Sequence, residues 1–223
     1  MAEPTPADTK PPNTISLRAP SKYVADPSHS TTITGEPFVS PPLEWLWRTW
    51  AVTHSTLSMW RSAWNVRITY KPYKPESGKP AANDNLVEYE KKNGKGGVKR
   101  VEGVERPDPK IPGAWTWRGK GLLAVASSHW EVLGWGERPL LGGVGEMGEG
   151  VERWAVTWFA PTLFTQEGVD IYSDRKEGLS KETVEGIIKA LKELKDAPKV
   201  VELVEKHMQE VEIHLPWKEG KQS

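Results

Sequence analysis

The sequence predicts an all-β chain: an eight-stranded up-and-down antiparallel β-barrel with a C-terminal α-helix packed outside it. Three observations carry this reading. From Leu43 onward, short stretches of β-branched and aromatic residues recur between clusters of Gly, Pro and Asn. The connections between these stretches are short, which favours a meander that removes its edges by closing on itself over a Greek-key sandwich. After residue 173 the apolar period changes from that of a strand to that of a helix.

The strands are expected at about residues 49–57, 64–71, 85–91, 98–105, 114–120, 123–135, 152–159 and 168–173. The second is the clearest, since Val66, Ile68 and Tyr70 alternate with Arg67, Thr69 and Lys71 as in a half-buried strand. Residues 92–97, rich in Gly and Asn, form the hairpin connection between the third and fourth. Pro107, Pro109 and Pro112 break the chain again, and the glycine-rich 142–150 stretch joins the sixth and seventh. Ser180 is placed as an N-cap, with Val184, Ile187, Ile188, Leu191 and Leu194 at helical spacing after it. Pro198 stops that helix, and a second is expected over 199–210. Before the first strand, Trp45, Leu46 and Trp47 read as a short helical lid.

The chain therefore divides into a Pro-rich disordered or loosely draped arm (1–42, with nine of the nineteen prolines), a barrel with its helix (43–196), and a short helix with a tail (197–223). Its 223 residues carry 30 basic and 30 acidic side chains, so no long-range field draws it to nucleic acid. No apolar run is long enough for a membrane span. There is no cysteine, which excludes thiol catalysis and disulfide scaffolds. With no secretory leader evident, a cytoplasmic location is expected. The five histidines are scattered without metal-ligand spacing, so neither a metal nor a cofactor is expected.

The segment from Trp50 to Leu57 resembles the first barrel strand of the lipocalins, a family of the calycin superfamily in which that strand opens with Gly-x-Trp. Arg48 stands here in place of the glycine. Asn65 to Tyr70 resembles the second strand. Trp154 to Thr157, Val169 to Arg175, and Leu179 to Val184 resemble the last two strands, the closing arginine and the following helix. In the family the arginine directly follows the strand-end serine and lies across the first-strand tryptophan. Here Asp174 intervenes, so Arg175 is displaced by one position. The resemblance implies a barrel that binds a small, mostly apolar molecule at its open end. Most lipocalins are carriers, and a minority isomerise or cyclise their ligands.

Twelve tryptophans against three phenylalanines are the most unusual feature of the composition. Period-two alternation assigns Trp50, Val52, His54, Val66, Ile68, Tyr70, Trp115, Trp117, Trp130, Trp154 and Trp158 to the cavity wall. These would form an aromatic bowl with few polar groups, suited to a planar or polyene-like ligand. His54 is the one catalytic candidate, as a proton carrier within the bowl. Ser127, His129 and Glu131 share a strand face, but at nearly 7 Å per step they are too far apart for a relay, and that face is read as outward. Gly143, Gly145 and Gly148 match G-x-G-x-x-G, but a strand follows rather than a helix, so the match is rejected.

Three functions are compatible with these residues. The leading one is binding of a small apolar or aromatic molecule. The alternative is a small barrel enzyme of isomerase, cyclase or dehydratase type, which an ionisable group inside the cavity would favour. The third is a solid barrel whose arm or 199–223 segment binds a partner. The oligomeric state is left open.

Overall fold

In a computed structural model, residues 14–73, 81–140, 150–162 and 165–218 are described. Eight strands follow one another: β1 (Thr49–Ser55), β2 (Ala63–Tyr73), β3 (Ala82–Lys91), β4 (Val98–Pro107), β5 (Ala114–Gly119), β6 (Ser127–Pro139), β7 (Val151–Phe159) and β8 (Gly168–Ser173). Each pairs antiparallel with the next, and β8 and β2 both pair with β1. The result is a closed up-and-down barrel. The glycine-rich 142–150 connection and the rejected glycine motif fall almost entirely outside the described residues.

Three helices accompany the barrel. The short α1 (Leu43–Leu46) precedes β1 and buries Trp45 and Leu46. The helix α2 (Lys181–Lys192) starts at Ser180, whose hydroxyl accepts from the Thr183 N–H, and buries Ile187, Ala190 and Leu191. Pro198 opens α3 (Pro198–His207) at a position where its missing N–H costs nothing. Both α2 and α3 pack outside the barrel, through Ile187, Leu191 and Val200, with Leu194 of the connection between them. A two-residue strand β9 (Gln209–Glu210) then pairs with the end of β1. No helix among the described residues is long and apolar enough to cross a membrane.

The barrel wall has two apolar faces. The inner cluster includes Trp50, Val52, Ile68, Tyr70, Trp115, Trp130 and Tyr172. The outer one joins Leu133, Trp154, Val156, Trp158 and Ile171 to α2, α3 and the arm.

Residues 14–42, expected to be disordered or loosely draped, are laid along the outer wall. Leu17 and Arg18 are fully buried. The Arg18 N–H donates to the Leu133 carbonyl at 2.8 Å, and the Ile33 N–H donates to that of Leu17 at 2.8 Å. The sequence cue was the alternation of Ile15, Leu17 and Ala19 with Ser16 and Arg18, hidden among prolines. Gly134 makes the approach possible, since a Cβ there would sit 2.7 Å from the Ser16 carbonyl oxygen. Arg18 is held by Glu131 at 2.9 Å, with both side chains fully buried. The Ser21 N–H also donates to Glu131, at 3.0 Å, and His129 Nε2 lies 3.0 Å from it.

The floor of the barrel is built differently from the family pattern. Trp45 lies against Trp50 at 5.0 Å between ring centroids and against Trp135 at 4.7 Å. The guanidinium lying over Trp50 belongs to Arg48, 5.5 Å from the Trp50 centroid and 5.5 Å from that of Trp45. Arg175 is not the closing residue; it lies 3.8 Å from Glu177. Asp174 anchors Arg48 in this position, pairing with it at 3.5 Å and with Arg153 at 3.0 Å.

Candidate functional site

Strand register decides which side chains reach the lumen. On β2, Val66, Ile68 and Tyr70 point inward, as alternation predicts. Opposite them, Ile68 faces Val87 and Tyr70 faces Asn85. Asn83 then faces Glu105, Glu105 faces Trp117, and Trp117 faces Ser128. Trp115 and Trp130 are paired across β5 and β6 and stack at 4.6 Å with 17° between planes. Tyr70 lies on the same indole at 5.9 Å, and Phe159 at 6.5 Å. Trp130 is thus the hub of the inner aromatic group.

Three assignments to the cavity wall do not hold. Trp154 and Trp158 point outward and pack in the outer cluster, while their neighbours Ala155 and Thr157 take the inner positions. Their shared face was correctly paired in sequence but assigned to the wrong side. A register shift between Val132 and Gly134 on β6 and the apolar cover supplied by arm and helices made both faces of β7 look like core. His54 is the third. A register shift between Val52 and His54 inserts one residue, so Val52 faces Tyr172 and Ser55, rather than His54, faces Asp170. His54 instead lies opposite Ile171 on one side and Glu210 on the other. It is half-buried, and burial lowers its pKa, partly offset by Glu210.

The lumen retains a cavity of about 140 Å³, lined by Ile68, Tyr70, Asn85, Val87, Glu105, Trp117, Ser128, Trp130, Phe159 and Tyr172. An apolar cavity of ~150 Å³ admits one benzene-sized molecule, so the hollow is on the scale of a single ring. Two larger hollows, of 620 and 400 Å³, lie outside the barrel along the arm. Their walls combine arm residues with Gly134 and Trp135 of β6 and residues 193–196, with no buried ionisable group among them.

The lumen is more polar than an aromatic bowl. Glu105 is 2% exposed. Burial drives its carboxyl well above the usual carboxylate range, against the opposing influence of Asn83 and Trp130. Its Oε2, Trp130 Nε1 and Tyr172 Oη have no partner at full hydrogen-bond geometry; Glu105 and Trp130 approach each other only loosely, as Tyr172 does Tyr70 and Thr157. Burial also raises Tyr70 and Tyr172 well above the ordinary phenol value. Deeper along β8, Asp170 accepts from Ser55 Oγ at 2.5 Å. Its pKa is pushed up to about 7 by burial, with Ser55, Trp60 and Arg61 pulling the other way. Trp117 Nε1 donates to Asn85 Oδ1 at 3.1 Å, which fixes one wall.

Glu105, Asp170, Tyr172, Asn83 and Asn85 were not read as lumen residues. The signal existed on β3, where Asn83, Asn85 and Val87 occupy one parity and Asp84, Leu86 and Glu88 the other. Both sets mix polar and apolar types, so period alone could not choose a side.

Eight strands in meander order close on β1, a short helix plugs the barrel before β1, and a longer helix follows β8 to pack outside. The fold is lipocalin-like. No protein-family model matches the chain, and no curated protein matches it. Among solved structures, apocrustacyanin C1 is similar, with 12% identity over 80% of this chain and 89% of that chain and a TM-score of 0.47. Lobster apocrustacyanin A1 has 12% identity, 79% and 88% coverage, and a TM-score of 0.43. Apocrustacyanin C2 has 12% identity, the same coverage and a TM-score of 0.44.

Proposed function

We propose that this lipocalin-like barrel binds one small, largely apolar, ring-sized molecule in its lumen, between the Trp117–Trp130 wall and Tyr172. The lumen cavity carries this reading: a partly open hollow is retained among the inner side chains, beside stacked indoles. Apolar burial supplies the affinity, at about 25 cal/mol per Å² removed from water. The lack of cysteine supports an intracellular setting for this activity. Tryptophan emission, titrated with small apolar molecules, tests the reading. Saturable quenching in the native protein, lost in Val87→Phe, is the expected result. Quenching that is linear in ligand, or unchanged in Val87→Phe, contradicts it.

A second reading, a barrel isomerase, cyclase or dehydratase, is favoured by one observation. Glu105 is an ionisable group facing the cavity with its proton held by burial, the property that general acids require. Turnover of an enclosed substrate that disappears in Glu105→Gln would support it.

A further inference from the structure

Three residues that wall the lumen cavity each present a polar atom with no partner at full hydrogen-bond geometry: Glu105 Oε2 and Trp130 Nε1, which approach each other only loosely, and Tyr172 Oη, which stands in the same relation to Tyr70 and Thr157. Unpaired indole N–H groups also occur away from the cavity, at Trp45 and Trp154. The lumen differs because a carboxyl and a phenol are unpaired as well, next to free volume. A buried polar group without a partner costs about 1–3 kcal/mol. Three of them around one void therefore form a site whose hydrogen bonds remain to be supplied. Their chemistry is one-sided. An indole N–H can only donate, a phenol O–H donates readily, and a carboxyl that keeps its proton donates too. No Lys, Arg or His among the described residues forms an ion pair with Glu105, so the site does not offer a stable carboxylate to a cation. The titratable groups that bear on it are Tyr70 from β2 and Tyr172 and Asp170 from β8.

Resting on lumen binding as proposed above, we infer that the cavity selects a neutral ring compound carrying one acceptor oxygen, a ketone or aldehyde, which receives hydrogen bonds from Trp130, Tyr172 and Glu105. The rest of the ring is enclosed by Ile68, Val87 and Phe159. Discrimination follows from the same unpaired atoms. A site built to hydrogen-bond an oxygen rejects the analogue lacking it, because the analogue leaves the buried groups unpaired.

The test compares cyclohexanone, toluene and cyclohexylamine, which have equal heavy-atom counts, by isothermal titration calorimetry. The native protein is expected to bind the ketone at least about tenfold more tightly than toluene, which corresponds to ~1.4 kcal/mol. Glu105→Gln, whose amide still donates, keeps that preference. Glu105→Leu brings the ketone-to-toluene ratio toward one. Thermal melts of both variants establish that they are folded. Ketone affinity also falls in the native protein as rising pH removes the Glu105 proton, but not in Glu105→Gln. Equal affinity for ketone and toluene overturns the acceptor-oxygen inference and leaves lumen binding standing. Tightest binding of cyclohexylamine overturns it in favour of a carboxylate counter-ion. Failure of all three to bind overturns the lumen reading itself.

Discussion

The two faces of the barrel wall are made from the same residue types but are finished differently. Outside, Trp158, Leu133, Val156 and Ile171 are covered by Leu17, Ile187, Leu191 and Val200. The buried carboxylates there are matched: Glu131 by Arg18 and Ser21, and Glu152 by Ser180 and Thr183. Trp158 Nε1 likewise donates to Glu167 at 2.7 Å. Inside, Glu105 and Tyr172 are as deeply buried, yet each leaves an oxygen unpaired beside an open volume. A protein able to satisfy a buried carboxylate on one side of a sheet has left another unsatisfied on the opposite side. The outer face is a structural seam, and the inner face keeps a hollow among its polar and aromatic side chains.

Breaking the seam gives the largest effect. Arg18→Ala leaves Glu131 buried without its cation and is expected to cost about 3–5 kcal/mol in urea unfolding. A loss below about 1 kcal/mol would mean the arm is an accessory. Trp50→Ala opens the floor between Trp45 and Arg48 and is expected to cost a similar 3–5 kcal/mol.

The lumen contributes a pH dependence opposite in sign to that of the seam, where Glu131 is held below the usual carboxylate value. Asp170 titrates near 3.8 when unfolded and at about 7 when folded. Between those values the folded state holds a proton that the unfolded chain has released. Its contribution to stability is therefore fully present below about pH 4 and is lost as pH rises toward 7. Asp170→Asn should remove that decline, which is on the order of a few kcal/mol across the window. A denaturation series from pH 4 to pH 8 that keeps its slope in Asp170→Asn would refute the assignment.

Smaller effects separate packing from site. Ser180→Ala removes the α2 cap and is expected to lower stability by about 1 kcal/mol without touching ligand affinity. Val87→Phe should do the reverse, changing stability by less than about 1.5 kcal/mol because the added ring enters existing space, while abolishing binding.

Much of the scaffold could be read before any coordinates. All eight strands and the Ser180 cap follow from local periodicity and backbone chemistry, which short windows report well; α2 ends at Lys192, ahead of Pro198, which opens α3 instead of ending or kinking α2. Inward placement of Val66, Ile68, Tyr70, Trp115, Trp117 and Trp130 follows from the same rule. What the rule could not see were single-residue insertions. One on β1 turned His54 outward and brought Ser55 to Asp170. Nor could composition show that α2, α3 and the arm cover β7, which makes Trp154 and Trp158 outer-core residues. The exchange of Arg175 for Arg48 depends on Asp174 reaching across to a residue far away in the chain. Glu105 escaped notice because a carboxylate in a strand reads as solvent-facing unless its neighbours' parity is known.

A crystal structure of the protein pressurised with xenon addresses the lumen most directly. Xenon density bounded by Tyr70, Val87, Glu105, Trp117 and Trp130 is the predicted result. A lumen that stays empty while xenon occupies only the outer groove beside Phe38, Val39 and Trp135 would contradict it.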